Sequence, residues 1–250
     1  RQMCIRDRYN YVMIESEEKI KKPFIGINPD REERRGALPF FLAAAALMCG
    51  MYLTELFRLL EEPLFSLFFY GTANDIFFAG CSVVYMLVFF FFFHRFTSKR
   101  LGSPFKKHED KIGLKRSVAL YLMTLLPVLI VGAALNFQFK LVFELGERFS
   151  GVTLMCKMAM YVFSAVKLLF AVYFIFLAEQ GFRRIFTGAK AIPFGGLALM
   201  AVFGVIEYFL SSSALKWLYL ILCLYYGIIW LVSGERFAVT YSLSVILFIL

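Results

Sequence analysis

The hydrophobic residues of this chain are gathered in long blocks rather than alternating with polar residues. A block of about 20 apolar residues matches a helix that crosses the roughly 30 Å hydrocarbon core of a bilayer, where every backbone polar group must be satisfied within the segment. A transmembrane barrel would instead require alternating strands of about ten residues. The pattern therefore predicts an all-α fold, a polytopic transmembrane helix bundle with six complete spans. The blocks lie near residues 38–60, 76–93, 117–137, 152–178, 191–210 and 216–233.

The two ends of the chain need separate interpretation. The last apolar run, residues 237–250, contains 14 residues and stops without a polar cap. At 1.5 Å per residue it would reach about 21 Å, so we interpret it as a truncated seventh span. At the other end, residues 1–8 (RQMCIRDR) resemble a spurious leader of translated metagenomic sequences and are left out of the fold prediction. The predicted organisation is a cytoplasmic N-terminal tail over residues 1–37 and a transmembrane helical domain over 38–250.

Composition and charge agree with a membrane location and predict an orientation. The chain has 250 residues, of which 60% are hydrophobic and 18% charged, a balance too apolar for a soluble domain. If the N-terminus is cytoplasmic, 21 of the 27 Lys and Arg residues lie in inner segments and four in outer ones. The positive-inside rule then predicts a multi-pass protein of the inner (plasma) membrane of a bacterial cell. Because short membrane-proximal loops explain the net charge of +9, we expect no nucleic-acid partner.

Catalytic signatures are missing from the sequence. The two histidines, His94 and His108, fall at or beyond the predicted inner interface, so the spans hold no histidine cluster for a metal or a proton relay. The chain has no GxxxxGK[ST] phosphate loop and no GxSxG nucleophile motif. We therefore expect a protein that is not an enzyme and that has no cofactor and no metal site.

One group of polar residues inside the predicted spans exceeds the background. In the fourth span, helical periodicity places Lys157, Tyr161, Ser164 and Lys167 near one face. A Lys near the bilayer centre costs at least about 2.5 kcal/mol on insertion scales. Lys167 is too deep to reach the headgroups easily, so this face is predicted to point into the bundle or a wet cavity.

Two carboxylates lie at a similar predicted depth, Glu55 in the first span and Glu207 in the fifth. Counting residues from the ends of the apolar blocks pairs Glu207 with Lys157. One interpretation is an outward-facing cavity that binds a solute. The other is structural: Glu55 pairs with Arg58 one turn on, and Lys157 reaches the outer headgroups. The residues of the solute-binding interpretation are Glu55, Lys157, Tyr161, Ser164, Lys167 and Glu207.

Two functions follow from these observations. The first is a transport component, a permease or a membrane subunit, for an unidentified small polar or ionic solute, with a cytoplasmic subunit such as an ATPase as a candidate partner. The alternative is a non-catalytic envelope scaffold or regulatory membrane protein that acts through its basic cytoplasmic loop, in which Lys106, Lys107, Lys115 and Arg116 would contact the membrane surface or a partner. The polar face of the fourth span favours transport, whereas the lack of a detectable inverted repeat counts against it.

Overall fold

The fold is helical, as the sequence predicts. The computed structural model describes residues 26–59, 72–105, 113–134, 154–187, 192–210 and 217–249. Apart from one pair of two-residue strands, every regular element in these ranges is a helix. The elements in chain order are β1 (Gly26–Ile27), α1 (Arg31–Arg35), α2 (Leu38–Leu59), α3 (Thr72–Leu101), α4 (Leu114–Ala134), α5 (Leu154–Ile185), β2 (Phe186–Thr187), α6 (Phe194–Leu199), a π-helical turn (Met200–Gly204), α7 (Val205–Leu210), α8 (Trp217–Val232) and α9 (Phe237–Ile249).

The described residues contain fewer long apolar helices than the six predicted spans. Within the described residues, three helical stretches are long and apolar enough to cross a membrane, Arg31–Thr54, Ile76–Leu101 and Met158–Ile185. The stretches Phe194–Phe209 and Tyr219–Val232 are apolar but shorter, as is α9. The apolar helices are consistent with a membrane protein, but six complete spans are not confirmed. The ends of the apolar blocks also do not mark the ends of the helices, since α3 (Thr72–Leu101) extends beyond the block at 76–93 in both directions.

Helix α5 is the centre of the bundle. All ten residues from Phe170 to Glu179 are buried, so this stretch has no exposed face. Helix α5 contacts α2, α3, α6 and α9. A helix that is apolar around its whole circumference buries all of its faces when other helices surround it. By contrast, α4 exposes a row of large apolar side chains that includes Leu122, Leu126 and Ile130.

Helices α6 and α8 cross with their backbones in direct contact. A Cβ atom added to Gly196 would lie 2.7 Å from the Cα of Gly227, and one added to Gly227 would lie 2.4 Å from the Cα of Gly196. Only residues without side chains permit this approach, which is common between membrane helices. The crossing fixes α6, and through it α7, against α8.

The last part of the predicted N-terminal tail is docked on the bundle. Strand β1 pairs with β2 in antiparallel register, Gly26 opposite Thr187 and Ile27 opposite Phe186. The buried Asn28 donates from Nδ2 to the carbonyl of Arg184 at 3.2 Å. The remainder of the tail, residues 1–25 with the suspected leader, lies outside the described residues.

One end of the bundle collects most of the described cations, and we call it the basic end. Helix α5 finishes there, next to Asn28 before α2 and Gly195 at the start of α6. Arg116, at the start of α4, lies beside Gly234 in the turn between α8 and α9. The cations of this end are Arg31, Arg34, Arg35, Arg95, Lys99, Arg100, Lys115, Arg116, Arg183, Arg184 and Arg236.

Candidate functional site

A Lys–Glu ion pair lies between α5 and α7, well inside the bundle. Lys167 Nζ donates to Glu207 Oε1 at 3.4 Å. The side chains are 14% and 16% exposed, so both charges are largely removed from solvent. The Lys167 ammonium also lies 5.0 Å from the centroid of the Phe163 ring, a distance at which the ring face attracts a cation.

The π-helical turn Met200–Gly204 directly precedes the helix that carries Glu207. A π turn adds a residue to the helical repeat, so it rotates every later side chain around the helix axis. Phe203 and Gly204 of this turn are buried, and Gly204 packs close to Leu220 of α8. The turn therefore sets the direction in which the Glu207 side chain points from α7.

A second contact between the same two segments fixes their register. The backbone N–H of Gly195 donates to Glu179 Oε2 at 2.8 Å. Lys167 precedes Glu179 by twelve residues and Glu207 follows Gly195 by twelve. At 1.5 Å per residue each segment covers about 18 Å from the common contact, so Lys167 and Glu207 arrive at the same level.

In the described residues Glu207 contacts Lys167. The sequence prediction paired Glu207 with Lys157 by aligning the ends of the two apolar blocks, and this pairing stays a prediction because the Lys157 side chain lies outside the described residues. In the structure α5 continues past Glu179 to Ile185, whereas α6 begins at the level of Glu179. That offset brings Lys167 to the level of Glu207.

The other predicted solute-binding residues have separate surroundings. Ser164 Oγ donates to the carbonyl of Met160 at 2.9 Å, within its own helix. The ring of Tyr161 packs against Phe248 of α9, with centroids 6.0 Å apart. The side chains of Glu55 and Lys157 lie outside the described residues. Of the six predicted solute-binding residues, Lys167 and Glu207 are two that the structure describes in contact with each other.

Two of the four predicted basic contact residues lie in the described part of the chain. Lys115 and Arg116 are exposed on the first turn of α4, at the basic end. Lys106 and Lys107 lie outside the described residues. The described half of this group therefore lies on the surface, where it is available to lipid headgroups or to a partner.

Three charged side chains at the basic end form what we call the Glu179 cluster: Glu179, Arg183 and Glu235. Arg183 Nε donates to Glu179 Oε1 at 3.2 Å, and Arg183 Nη1 contacts Glu235 Oε1. With the N–H of Gly195, Glu179 accepts two hydrogen bonds while its side chain is 1% exposed. The cluster thus connects α5, α6 and the turn between α8 and α9.

Sequence reasoning missed this cluster, although one signal was present. Glu179 and Arg183 stand four residues apart at the end of an apolar run, the spacing of a helical ion pair. Nothing in the sequence marks Gly195 or Glu235 as their neighbours. Glu235 is in the left-handed backbone region, with φ 65°, which only the three-dimensional turn explains.

A hydroxyl network occupies the level between the two charged sites on α5. The Tyr173 hydroxyl lies 2.9 Å from Thr97 Oγ1 and 3.1 Å from His94 Nδ1 of α3. Tyr173 is six residues from both Lys167 and Glu179. The central helix therefore carries polar side chains at three successive depths.

The Lys167–Glu207 pair is the group best suited to ionic chemistry. Glu207 can accept a cation or a proton, and Lys167 can hold an anion, if either exchanges its protein partner for a solute. Among the residues that the structure describes, no three His, Cys, Asp or Glu side chains lie close enough to hold a metal ion. No known protein family, curated protein or solved structure matches this chain.

Proposed function

We propose that this chain is an integral-membrane transport component, a permease or the membrane subunit of a transporter, for a small polar or ionic solute. The Lys167–Glu207 pair is the observation that carries the proposal. Ionisable residues inside membrane helices are costly, and they commonly mark the paths of solutes or protons. The chain acts without catalytic chemistry of its own.

The state of this pair supports a functional rather than a purely structural purpose. Separating two charges costs more free energy the more completely they are enclosed. The side chains of Lys167 and Glu207, whose charged groups lie 3.4 Å apart, are 14% and 16% exposed. Glu179, in contrast, is fully enclosed and accepts from two partners. Separating Lys167 from Glu207 therefore costs less free energy than separating Glu179 from its two donors.

The exchange of partners gives a simple mechanism. A cationic group of the solute would replace the Lys167 ammonium at Glu207, and an anionic group would replace Glu207 at Lys167. Glu55 and Lys157 remain candidates for further contacts along the same path. The π-helical turn before Glu207 is a point where α7 could rotate, since such turns are often found at functional sites.

We further propose that the protein lies in the inner membrane of a bacterial cell with the basic end in the cytoplasm. The cations around Arg35, Arg116 and Arg184 all belong to this end. Their position follows the positive-inside rule. Six complete spans remain part of this proposal, with a cytoplasmic subunit such as an ATPase as a candidate partner and no nucleic acid.

The test is solute entry into liposomes that contain the purified protein. After osmotic shock with glycine, urea, potassium chloride or sodium acetate, light scattering reports the rate of entry. We expect the protein to accelerate at least one charged or zwitterionic solute, and the double variant Lys167→Met/Glu207→Gln to slow it about tenfold, the effect of about 1.4 kcal/mol. Glu32→Gln, on the exposed face of α1, is the matched control.

Equal rates in protein-containing and protein-free liposomes for all four solutes would contradict the proposal. Equal rates in the wild type and the double variant would contradict the assignment to the Lys167–Glu207 pair. The orientation is tested separately with a single cysteine at position 115. A membrane-impermeant reagent is expected to leave it unlabelled in intact cells.

A second candidate function is a scaffold or regulator that acts through the basic loop. The exposure of Lys115 and Arg116 favours it. Reversal of these charges with Lys115→Glu/Arg116→Glu discriminates the two functions. If the protein is a scaffold or regulator, this charge reversal is expected to abolish its effect in cells and to leave the rate of solute entry into liposomes unchanged.

A further inference from the structure

An apolar groove lies between α2 and the segment from α6 to α7, and α5 forms its floor. We call it the α2–α6 groove. Its volume is about 530 Å³, and it opens at the surface of the bundle, where Ala45, Cys49 and Val202 of its rims are exposed. Its lining residues in the described part of the chain carry no charge, so the groove suits an apolar occupant. They include Phe41, Ala45, Cys49, Tyr52, Val202 and Ile206.

The groove starts at the basic end and runs toward the middle of the bundle. At the basic end Phe41 packs against Phe182, with ring centroids 5.0 Å apart. At the other end Tyr52 packs against Phe203, with centroids 6.3 Å apart. Phe41 and Tyr52 are eleven residues apart on α2, or about 17 Å. Half of the roughly 30 Å hydrocarbon core is about 15 Å, so the groove matches the depth of one leaflet.

Small side chains give the groove its depth. Ala44 on α2, Ala178 on α5 and Ala198 on α6 all line it. Small residues in membrane helices usually allow a neighbouring helix to approach closely, as Gly196 and Gly227 do in this bundle. Here they line a gap between helices instead. An acyl chain of a lipid has the length and the chemistry to fill that gap.

An arginine with spare donors lies at the basic end of the groove. The Cζ atom of Arg184 is 4.6 Å from the ring centroid of Phe40, the residue before Phe41. Arg184 Nη1 donates to the carbonyl of Gly36 at 3.1 Å. The partly exposed guanidinium has no carboxylate partner among the described residues. Its Nε and Nη2 groups can therefore donate to an anion, and a phosphate fits the fork of an arginine.

Further positive charge lies beside Gly36. Arg34 and Arg35 form the last turn of α1, directly before it. The acidic residues of α1 are in its first turn, and Glu33 accepts from Asn28 Nδ2 at 2.8 Å. Basic pockets next to membrane helices attract anionic lipid headgroups. The apolar groove thus ends at a group of arginines, an arrangement that complements a lipid with a negatively charged headgroup.

We infer that the α2–α6 groove and Arg184 bind one anionic phospholipid of the leaflet at the basic end. An acyl chain lies in the groove, and the phosphate accepts from Arg184, with Arg34 and Arg35 adding positive charge around it. A zwitterionic lipid also carries a phosphate, but its ammonium group is repelled by these arginines. The site goes beyond the proposed transport, since it uses neither Lys167 nor Glu207 and lipid binding is measured without solute flux.

The experiment is native mass spectrometry of the whole purified chain in detergent, with each probe added at the same concentration. The probes are dioleoyl phosphatidylglycerol, which is anionic, dioleoyl phosphatidylcholine, which has the same chains and a zwitterionic headgroup, and glycerol phosphate, which has no chains. We expect one phosphatidylglycerol to bind about fivefold more tightly than phosphatidylcholine, the effect of roughly 1 kcal/mol for an arginine near an anionic headgroup. Glycerol phosphate is expected not to bind.

A change inside the groove tests the position of the acyl chain. Ala45→Phe places a ring in the groove and is expected to weaken the binding of both lipids by about fivefold, the effect of about 1 kcal/mol. Ala46→Phe is the matched control, because Ala46 is exposed on the same helix but does not line the groove. This control is expected to leave both affinities unchanged.

A change at the basic end tests the headgroup. Arg184→Gln is expected to remove the preference, so that phosphatidylglycerol binds as weakly as phosphatidylcholine. Arg100→Gln is the control, since Arg100 also lies over a ring, 4.8 Å from the centroid of Phe96, but outside the groove. Because Arg184→Gln also removes the hydrogen bond to Gly36, its melting temperature is compared with that of the wild type. Ala45→Phe keeps the inference testable if Arg184→Gln does not fold.

Four results would overturn the inference. Equal affinities of the wild type for the two lipids would exclude an anionic-lipid site. Equal effects of Ala45→Phe and Ala46→Phe would place the lipid elsewhere. Binding of glycerol phosphate as tight as that of phosphatidylglycerol would indicate a plain phosphate site. A lipid-free dimer that Ala45→Phe converts to monomer would assign the groove to a second copy of the chain.

Discussion

Two charged sites on the same helix differ in how completely their groups are enclosed. Glu179 has a side chain that is 1% exposed and accepts from Arg183 and from the N–H of Gly195. About 18 Å further along α5, Lys167 and Glu207 lie 3.4 Å apart at their charged atoms, and their side chains are 14% and 16% exposed. Both sites join α5 to the segment that contains α6 and α7.

The difference separates a site that maintains structure from one that is able to change partners. Separating a fully enclosed carboxylate from its donors costs much free energy, because removal of either partner leaves an uncompensated charge or N–H group. A pair with residual exposure can be compensated by water or by a solute. The structure thus holds the register firmly at the basic end and leaves the distant pair less constrained.

The largest expected effect comes from removal of Glu179. Glu179→Ala leaves the Gly195 N–H without its acceptor and Arg183 without one of its two carboxylate partners, and we expect a loss of about 3–5 kcal/mol of unfolding free energy. Thermal or denaturant unfolding in detergent measures it, with Glu32→Ala on the exposed α1 as control. A loss no greater than that of the control would show that the Glu179 cluster does not hold α6 in place.

The next effect concerns the contact that keeps α6 and α7 against α8. Gly196→Ala places a Cβ atom 2.7 Å from the Cα of Gly227, so we expect destabilisation of about 1–3 kcal/mol from overpacking. Gly80→Ala is the matched control, since a Cβ at Gly80 meets nothing within 4 Å. Similar melting temperatures of the two variants would argue against the backbone crossing.

A smaller effect on stability is expected at the Lys167–Glu207 pair. Lys167→Met and Glu207→Gln should each cost about 1–2 kcal/mol, less than Glu179→Ala, because the remaining group keeps some exposure. The double variant should cost less than the sum, with a coupling of about 0.5–1 kcal/mol in a double-mutant cycle. Additive costs would mean that the pair does not interact, and a loss as large as that of Glu179→Ala would remove the contrast between the two sites.

The smallest effect is expected between the two sites. Tyr173→Phe removes the hydroxyl that contacts Thr97 and His94 but keeps the ring in the core, so we expect a loss of about 0.5–1.5 kcal/mol. Denaturant unfolding of this variant beside Tyr121→Phe, whose side chain is exposed, measures the difference. No difference between them would make the hydroxyl network irrelevant to stability.

The helices themselves could be predicted from the sequence, because each apolar block is also a helix-forming block. The block at 38–60 corresponds to α2 (Leu38–Leu59), and the run at 237–250 to α9 (Phe237–Ile249). The number of helices that form complete membrane spans could be predicted less well than the helices themselves. The ends of the blocks do not mark the ends of the helices. The block at 76–93 is shorter than α3 (Thr72–Leu101), whereas the block at 191–210 begins before Pro193 and α6 starts at Phe194.

The candidate site could be predicted only in part. Lys167 and Glu207 stand out in the sequence as charges within apolar blocks, and the structure brings them together. Their pairing could not be predicted, since it depends on the hydrogen bond from Gly195 to Glu179 and on a π-helical turn. Neither contact leaves a periodic pattern.

The pairing of β1 with β2 has a consequence for the order of events during biosynthesis. Asn28 binds the carbonyl of Arg184, a residue that lies 156 positions later in the chain. At 5–20 residues per second, a ribosome needs roughly 8–31 s to reach it. The segment at Gly26–Asn28 therefore acquires this anchor only after α2 to α5 have been synthesised. Since the anchor joins the residues before α2 to the end of α5, its closure requires that both have reached the same end of the bundle.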